Sequence, residues 1–158
     1  MRKAEFKGKT LDFPDGSLRD IPNRTLVEAV MRELTVYEPD LVISFDAYDS
    51  PAQIDHDDHN VTGLATARAV QMADVEGFLG KPQAMRSRPD HLIWTTNRGI
   101  ATHEGKVDVV KLARKMKKLY PSQFGKQSGD YLKENLRLVY QNDDGTVTEK
   151  YRLVRRVI

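Results

Sequence analysis

The chain of 158 residues contains no cysteine. That absence excludes disulfides, zinc knuckles, iron–sulfur clusters and thiol nucleophiles, and leaves His, Asp and Glu to hold any metal. Histidine is scarce as well: His56, His59, His91 and His103 are the only four. No apolar run approaches the roughly 18 residues needed to cross a bilayer, so no transmembrane segment is expected. The basic start Met1-Arg2-Lys3 leads into no apolar signal segment. These absences fit a cytoplasmic location. Internal repeats and low-complexity linkers are lacking too. What remains is 39% apolar and 30% charged, the balance of an ordinary soluble globular protein, and the length fits one domain over residues 1–158.

The net charge of +2 hides an asymmetry. Residues 1–80 carry 8 Lys and Arg against 15 Asp and Glu, whereas residues 81–158 carry 17 against 8. A basic half can signal nucleic acid or an anionic substrate. Here the basic residues, such as Lys111, Arg114, Lys115, Lys117 and Lys118, are spread with apolar partners between them and read as a solvated helix face. No Gly-rich, aromatic or base-reading motif supports nucleic-acid binding. The acidic half is more informative, because its carboxylates cluster between Asp46 and Asp58.

Leu26, Ala29, Val30, Leu34 and Tyr37 recur at three- and four-residue steps and predict an amphipathic helix ending before Pro39. Asn23 or Thr25 is a candidate cap, with Thr25 and Glu28 at capping-box spacing. Leu41–Phe45 is too short and too apolar for a helix and suits a strand buried on both faces. A polar loop follows, then a second helical pattern from about Asp57 to Phe78, with stop signals at Gly77, Gly80 and Pro82. Residues 91–96 read as another buried strand, Val107 to Leu119 as a third helix, and Tyr131 to Val139 as a fourth. Asp143-Asp144-Gly145 suits a turn into a terminal strand over 146–154. Trp94, in an apolar strand, reads as core. The alternation of helix and strand predicts an α/β fold, a Rossmann-like three-layer domain with a mostly parallel sheet. Its opening residues are loop-like where such a domain starts with a strand, so the domain reads as N-terminally incomplete.

In open α/β sheets, sites form outside the carboxyl ends of the strands. That position follows Phe45 and holds Asp46, Tyr48, Asp49 and then Asp55-His56-Asp57-Asp58-His59. His56 and His59, three apart at a helix start, project from one face. With aspartates around them and no cysteine, they suit a zinc-type or iron-type divalent ion, although a catalytic zinc usually takes about three protein ligands. An isolated His-x-x-His is more often a solvated loop with acidic residues at a helix N-terminus; the position after a buried strand is what favours chemistry.

At these residues the chain resembles the PIG-L/LmbE-like zinc de-N-acetylases. Pro39 to Asp46 followed by Asp55 to His59 is similar to the family's second signature, a strand, a polar loop and a Gly-His-Pro-Asp-His-type motif opening a helix. Leu11 to Leu18 resembles its Leu-Pro-Asp-Gly loop. Lys111 to Arg114 with Tyr120 to Phe124 resembles its late Lys-x-x-Ala and Ser-Gln segment, and Glu149 to Val154 its closing Glu-x-Phe-x-Leu segment. The resemblance implies hydrolysis of an N-acetyl group from an N-acetylglucosamine-type conjugate, with Zn2+ or another divalent metal activating water. It implies His59 as a metal ligand. His56 and Asp58 become catalytic residues, His56 contacting the carbonyl and tetrahedral intermediate or protonating the leaving amine, and Asp58, the motif's aspartate, orienting a neighbouring group from behind. Asp15 and Asp46 become substrate-binding residues.

The family's first motif, an opening strand ending in His-Pro-Asp-Asp, does not occur in the sequence; His91 and His103 lack the following Pro-Asp-Asp. The ligand set and the general base are therefore incomplete. The expectation is a chain inactive alone, aided by a complementing N-terminal fragment or by forming a homo-oligomer. The alternative is a non-catalytic relative that binds a sugar or a partner. A third reading takes His56-Asp57 as the HD pair of an all-helical metal phosphohydrolase, which the buried strands disfavour.

Overall fold

The computed structural model describes residues 8–47, 57–75, 85, 88–95, 101–107, 115, 118 and 147–155. Among them a 3-10 turn, Leu18–Asp20, leads into helix α1 (Asn23–Tyr37) and strand β1 (Leu41–Phe45). Helix α2 (Asp57–Met72) follows, then strands β2 (Asp90–Trp94), β3 (His103–Val107) and β4 (Val147–Val154). The predicted helix over Val107 to Leu119, the helix over Tyr131 to Val139 and the turn at Asp143 to Gly145 lie, in whole or for the most part, outside the described residues.

Helix α1 buries Leu26, Val27, Met31 and Leu34, the stripe its periodicity predicts. The cap differs from expectation. Pro22 precedes the first turn, its carbonyl accepts the Thr25 N–H at 2.8 Å, and no side chain caps the helix. Proline's fixed φ already sets the chain's entry angle, and the Asn23 side-chain oxygen instead accepts a 2.6 Å hydrogen bond from Arg68 on α2. The helix closes at Glu38, which is left-handed at φ 41° and donates to the Leu34 carbonyl at 2.8 Å.

Helix α2 packs on α1 with one face and on β1 and β2 with another. Apart from Asp58 in the first turn, its buried residues are small: Gly63, Ala65, Thr66, Ala69 and Val70. Small side chains let the helix lie close to both neighbours. The core joins them to the α1 stripe, Ala73 and Met85, with Val42 and Val61 packed against it. The helix ends earlier than its apolar pattern extends, in turns from Val70 to Ala73 and from Met72 to Val75.

The sheet has the order β1-β2-β4-β3. Strands β1 and β2 pair in parallel, from Leu41 opposite Asp90 to Phe45 opposite Trp94. The antiparallel β4 adds to β2, with His91 opposite Val154, and β3 adds antiparallel to β4. This is the α/β class expected from the sequence, with helices stacked on the parallel pair; among the described strands one pairing is parallel and two are antiparallel, since β4 returns beside β2. Two local expectations change. Burial of β1 on both faces fails at Leu41 and Ile43, which are 46% and 64% exposed, because α2 covers one face and no described element covers the other. His103, which falls between the strand expected over 91–96 and the helix expected from Val107, begins β3. Among the described residues no helix is long and apolar enough to cross a membrane.

Candidate functional site

The polar residues after β1 are held by one unusually close packing contact. A Cβ built on Gly63 of α2 would lie 2.6 Å from the Phe45 carbonyl oxygen and 3.1 Å from the Ala47 nitrogen. Only glycine lets the helix cross the exit of β1 at that distance. The crossing sets the first turn of α2, Asp57-Asp58-His59, beside the carboxyl end of the strand, where α/β sheets place their sites.

Asp58 faces the turn at Pro14-Asp15-Gly16. Its carboxylate accepts the Gly16 N–H at 2.6 Å and the Leu18 N–H at 3.1 Å, and the residue is 9% exposed. Two charge-assisted bonds to main-chain donors fix the loop against the helix. Gly16 supplies the left-handed geometry of the turn, at φ 77°. An ion pair between Arg19 and Asp57 closes the same junction from the solvent side. Between loop and helices lies a cavity of about 740 Å3, whose walls include Phe13, Asp15, Leu18, Asp58, His59 and Thr62. The His59 ring packs on Phe45, centroids 4.4 Å apart, and Phe45 packs on Trp94 at 5.8 Å.

The structure therefore brings Asp15, Asp58 and His59 to one cavity. Asp46 is elsewhere. It is 3% exposed, its N–H donates to the Trp94 carbonyl at 2.9 Å, and its carboxylate lies 3.7 Å from the Arg152 guanidinium. His56 lies outside the described residues.

Beneath α2 a second polar group escaped sequence reasoning. His91 is 3% exposed, and its Nε2 is 2.7 Å from the Ser44 hydroxyl on β1. Burial, reinforced by the Arg152 charge and opposed by Asp46, lowers its pKa from 6.5 to about 4. The ring is neutral at ordinary pH. Ser44, Asp46, His91 and Arg152 come from three strands, so no local motif could have revealed them. Gly63 left a fainter sign, a glycine inside an otherwise regular helix pattern.

For a metal, the described donors are too few. Among the described residues no three His, Asp or Glu side chains gather closely enough to hold an ion. Asp58 is committed to the Gly16 and Leu18 amides, leaving His59 as the imidazole on that wall of the cavity. This set does not fit a zinc ion.

Residues 3–70 match the family model described as PIG-L, GlcNAc-PI de-N-acetylase. The likeness to that family is carried by these residues. They contain the Asp15 turn, α1, β1 and the first part of α2, so the cavity is built within them. In architecture the chain is similar to an N,N'-diacetylchitobiose deacetylase from Pyrococcus horikoshii, solved with its inhibitor MPG. The TM-score is 0.51 at 16% sequence identity, covering 93% of this chain and 55% of that one. The chain thus spans little more than half the length of that structure, and the likeness is one of fold. No curated protein sequence matches the chain.

Proposed function

We propose that the chain is a de-N-acetylase-type protein whose PIG-L segment receives an N-acetylglucosamine-type conjugate in the cavity between the Asp15 turn and α2. The observation that carries this reading is the convergence of Asp15, Asp58 and His59, from two distant stretches of sequence, on one cavity of about 740 Å3. The Asp15 carboxylate offers hydrogen bonds to sugar hydroxyls, Phe13 and Leu18 an apolar wall, and His59 an imidazole beside it. In this reading Asp58 acts as a positioning residue, since both its oxygens hold the turn. Zinc-dependent hydrolysis of the N-acetyl group is the activity of the type. It calls for ligands and a base beyond those the described residues supply, from His56, from a complementing fragment or from a second copy.

A second reading is a non-catalytic sugar-binding relative, and the occupation of the Asp58 carboxylate by main-chain donors favours it. One experiment separates the two. The purified chain is loaded with zinc, dialysed and analysed for metal, then titrated with N,N'-diacetylchitobiose while amide shifts of residues 10–18 and 57–65 are followed by NMR. Saturable shifts confined to those residues support the site, and release of primary amine with stoichiometric zinc supports the hydrolase. Binding without metal retention or amine release supports the sugar-binding relative. Absence of any shift refutes the site assignment.

A further inference from the structure

At the other end of α2 from the candidate sugar site lies a second cavity, of about 390 Å3. Its polar walls are Arg88, before β2, His91 on β2, Arg152 and Arg155 on and after β4, and Gln71 on α2. Among the described residues lining it there is no carboxylate. Three guanidinium groups around one concave surface repel one another, and a low-dielectric wall concentrates their field.

The three are not equally neutralised. Arg88 donates from Nε and a terminal nitrogen to one Asp74 oxygen, at 3.2 and 2.8 Å. The Arg152 terminal nitrogen is 3.7 Å from Asp46, too long for a hydrogen bond, and its Nε is buried with no hydrogen-bond partner among the described residues. Arg155 is exposed and has no ion pair among the described residues. The Arg152 Nε is shielded, but the side chain as a whole is 39% exposed, so its guanidinium is open to an acceptor inside the cavity that would offset its charge better than the distant Asp46 carboxylate. The neighbouring His91 is neutral and bonded to Ser44, so it adds no competing charge.

We infer that this cavity is an oxyanion site taking a phosphate group, free or as the monoester of a small molecule, with the Arg152 and Arg155 guanidinium groups as its donors. Guanidinium forks match phosphate oxygens in geometry, and a dianion answers the two least neutralised charges. The volume exceeds that of phosphate alone, leaving room for a small organic group against Val154 and the Ala67–Val70 side of α2. The site is separate from the proposed sugar cavity, which shares none of these residues, so either assignment can fail without the other.

The test titrates the full chain with inorganic phosphate, glycerol 3-phosphate and, at matched ionic strength, sodium chloride, following the His91 ring signals and the amides of residues 150–155 by NMR. Both phosphates are expected to produce saturable shifts there that chloride does not. A dianion beside His91 is also expected to raise its pKa. Tighter binding of glycerol 3-phosphate assigns the monoester as the ligand, and equal or weaker binding assigns the free ion. Arg155→Gln, at an exposed position, is expected to weaken binding about tenfold, the loss of roughly one charge-assisted contact. Arg152→Lys, which keeps the charge and removes the guanidinium fork, is expected to weaken it as well. Shifts no larger than those with chloride, or binding unchanged in Arg155→Gln, overturn the inference.

Discussion

Replacing Gly63 by alanine sets two effects of similar size against each other, and the structure decides the sign. In the interior of a helix alanine is favoured over glycine by about 1 kcal/mol. On that ground alone the variant would be more stable. Yet the added Cβ would sit 2.6 Å from the Phe45 carbonyl oxygen and 3.1 Å from both the Ala47 nitrogen and the Asp46 carbonyl carbon. All three are main-chain atoms, so no side-chain rotation relieves the clash; α2 must lift off the strand exit or the exit must bend. Overpacking of this kind costs about 1–3 kcal/mol, and the rigid core on the far side of α2, at Ala65 and Ala69, resists the retreat. The net expectation is a loss of about 1 kcal/mol, the overpacking term outweighing the propensity gain. Urea denaturation followed by helical circular dichroism and by fluorescence of Trp94, the single tryptophan, measures it. Phe45 lies between Trp94 and His59, so the native-state emission is expected to change as well. Gly63→Ser carries the same clash without the full propensity gain and is expected to lose more. A Gly63→Ala protein as stable as the parent, or more so, refutes the close crossing and the placement of Asp58 and His59 that depends on it.

Removing the Asp58 carboxylate strips two part-buried amides of their acceptor; Asp58→Ala is expected to lose about 2–3 kcal/mol, and Asp58→Asn, which keeps one oxygen, less. Hydrogen exchange at the Gly16 and Leu18 amides checks the mechanism: their protection is expected to fall in Asp58→Ala while that of α1 persists. Acid is expected to destabilise the fold through His91. Its pKa is depressed in the folded state to about 4 from 6.5, so the unfolded chain binds the extra proton first and stability falls as pH drops through that window. The slope is at most about 1.4 kcal/mol per pH unit. Urea midpoints at pH 7, 5.5 and 4.5 measure it, and a His91→Gln variant retaining the whole acid sensitivity would remove His91 as its source.

The parts of the fold legible in the sequence are those built from local periodicity. Helix α1, strand β1, the start of α2 and strand β2 follow from spacing alone, because an apolar stripe or run needs no distant partner to be recognised. The cavity was partly legible: Asp15, Asp58 and His59 stand out by residue type and motif likeness, and the structure sets them on one wall. Three things were hidden. Strand β3, with its central Gly105 and charged neighbours Glu104 and Lys106, has no apolar alternation and exists by pairing with β4. The capping-box spacing at Thr25 was overridden by the proline three residues before it. Asp46 reads as a loop carboxylate at the mouth of a site, whereas in the fold it is buried, its N–H bonded to Trp94 and the distant Arg152 of β4 nearby.

The position of β4 has a consequence for how this chain comes to be folded. The latest strand in the sequence is not the outermost in space: it is inserted between β2 and β3. Leu41 can meet Asp90 as soon as both have been made, and the α1–α2 pair can consolidate earlier still, but among the described strands β3 pairs with β4 alone and must wait for it. Contacts so far apart in sequence delay the rate-limiting step. A nascent or clipped chain ending before Val147 would therefore lose the seam of its sheet, stranding β3 and baring the inner flank of β2, although the excision touches only the tail of the sequence.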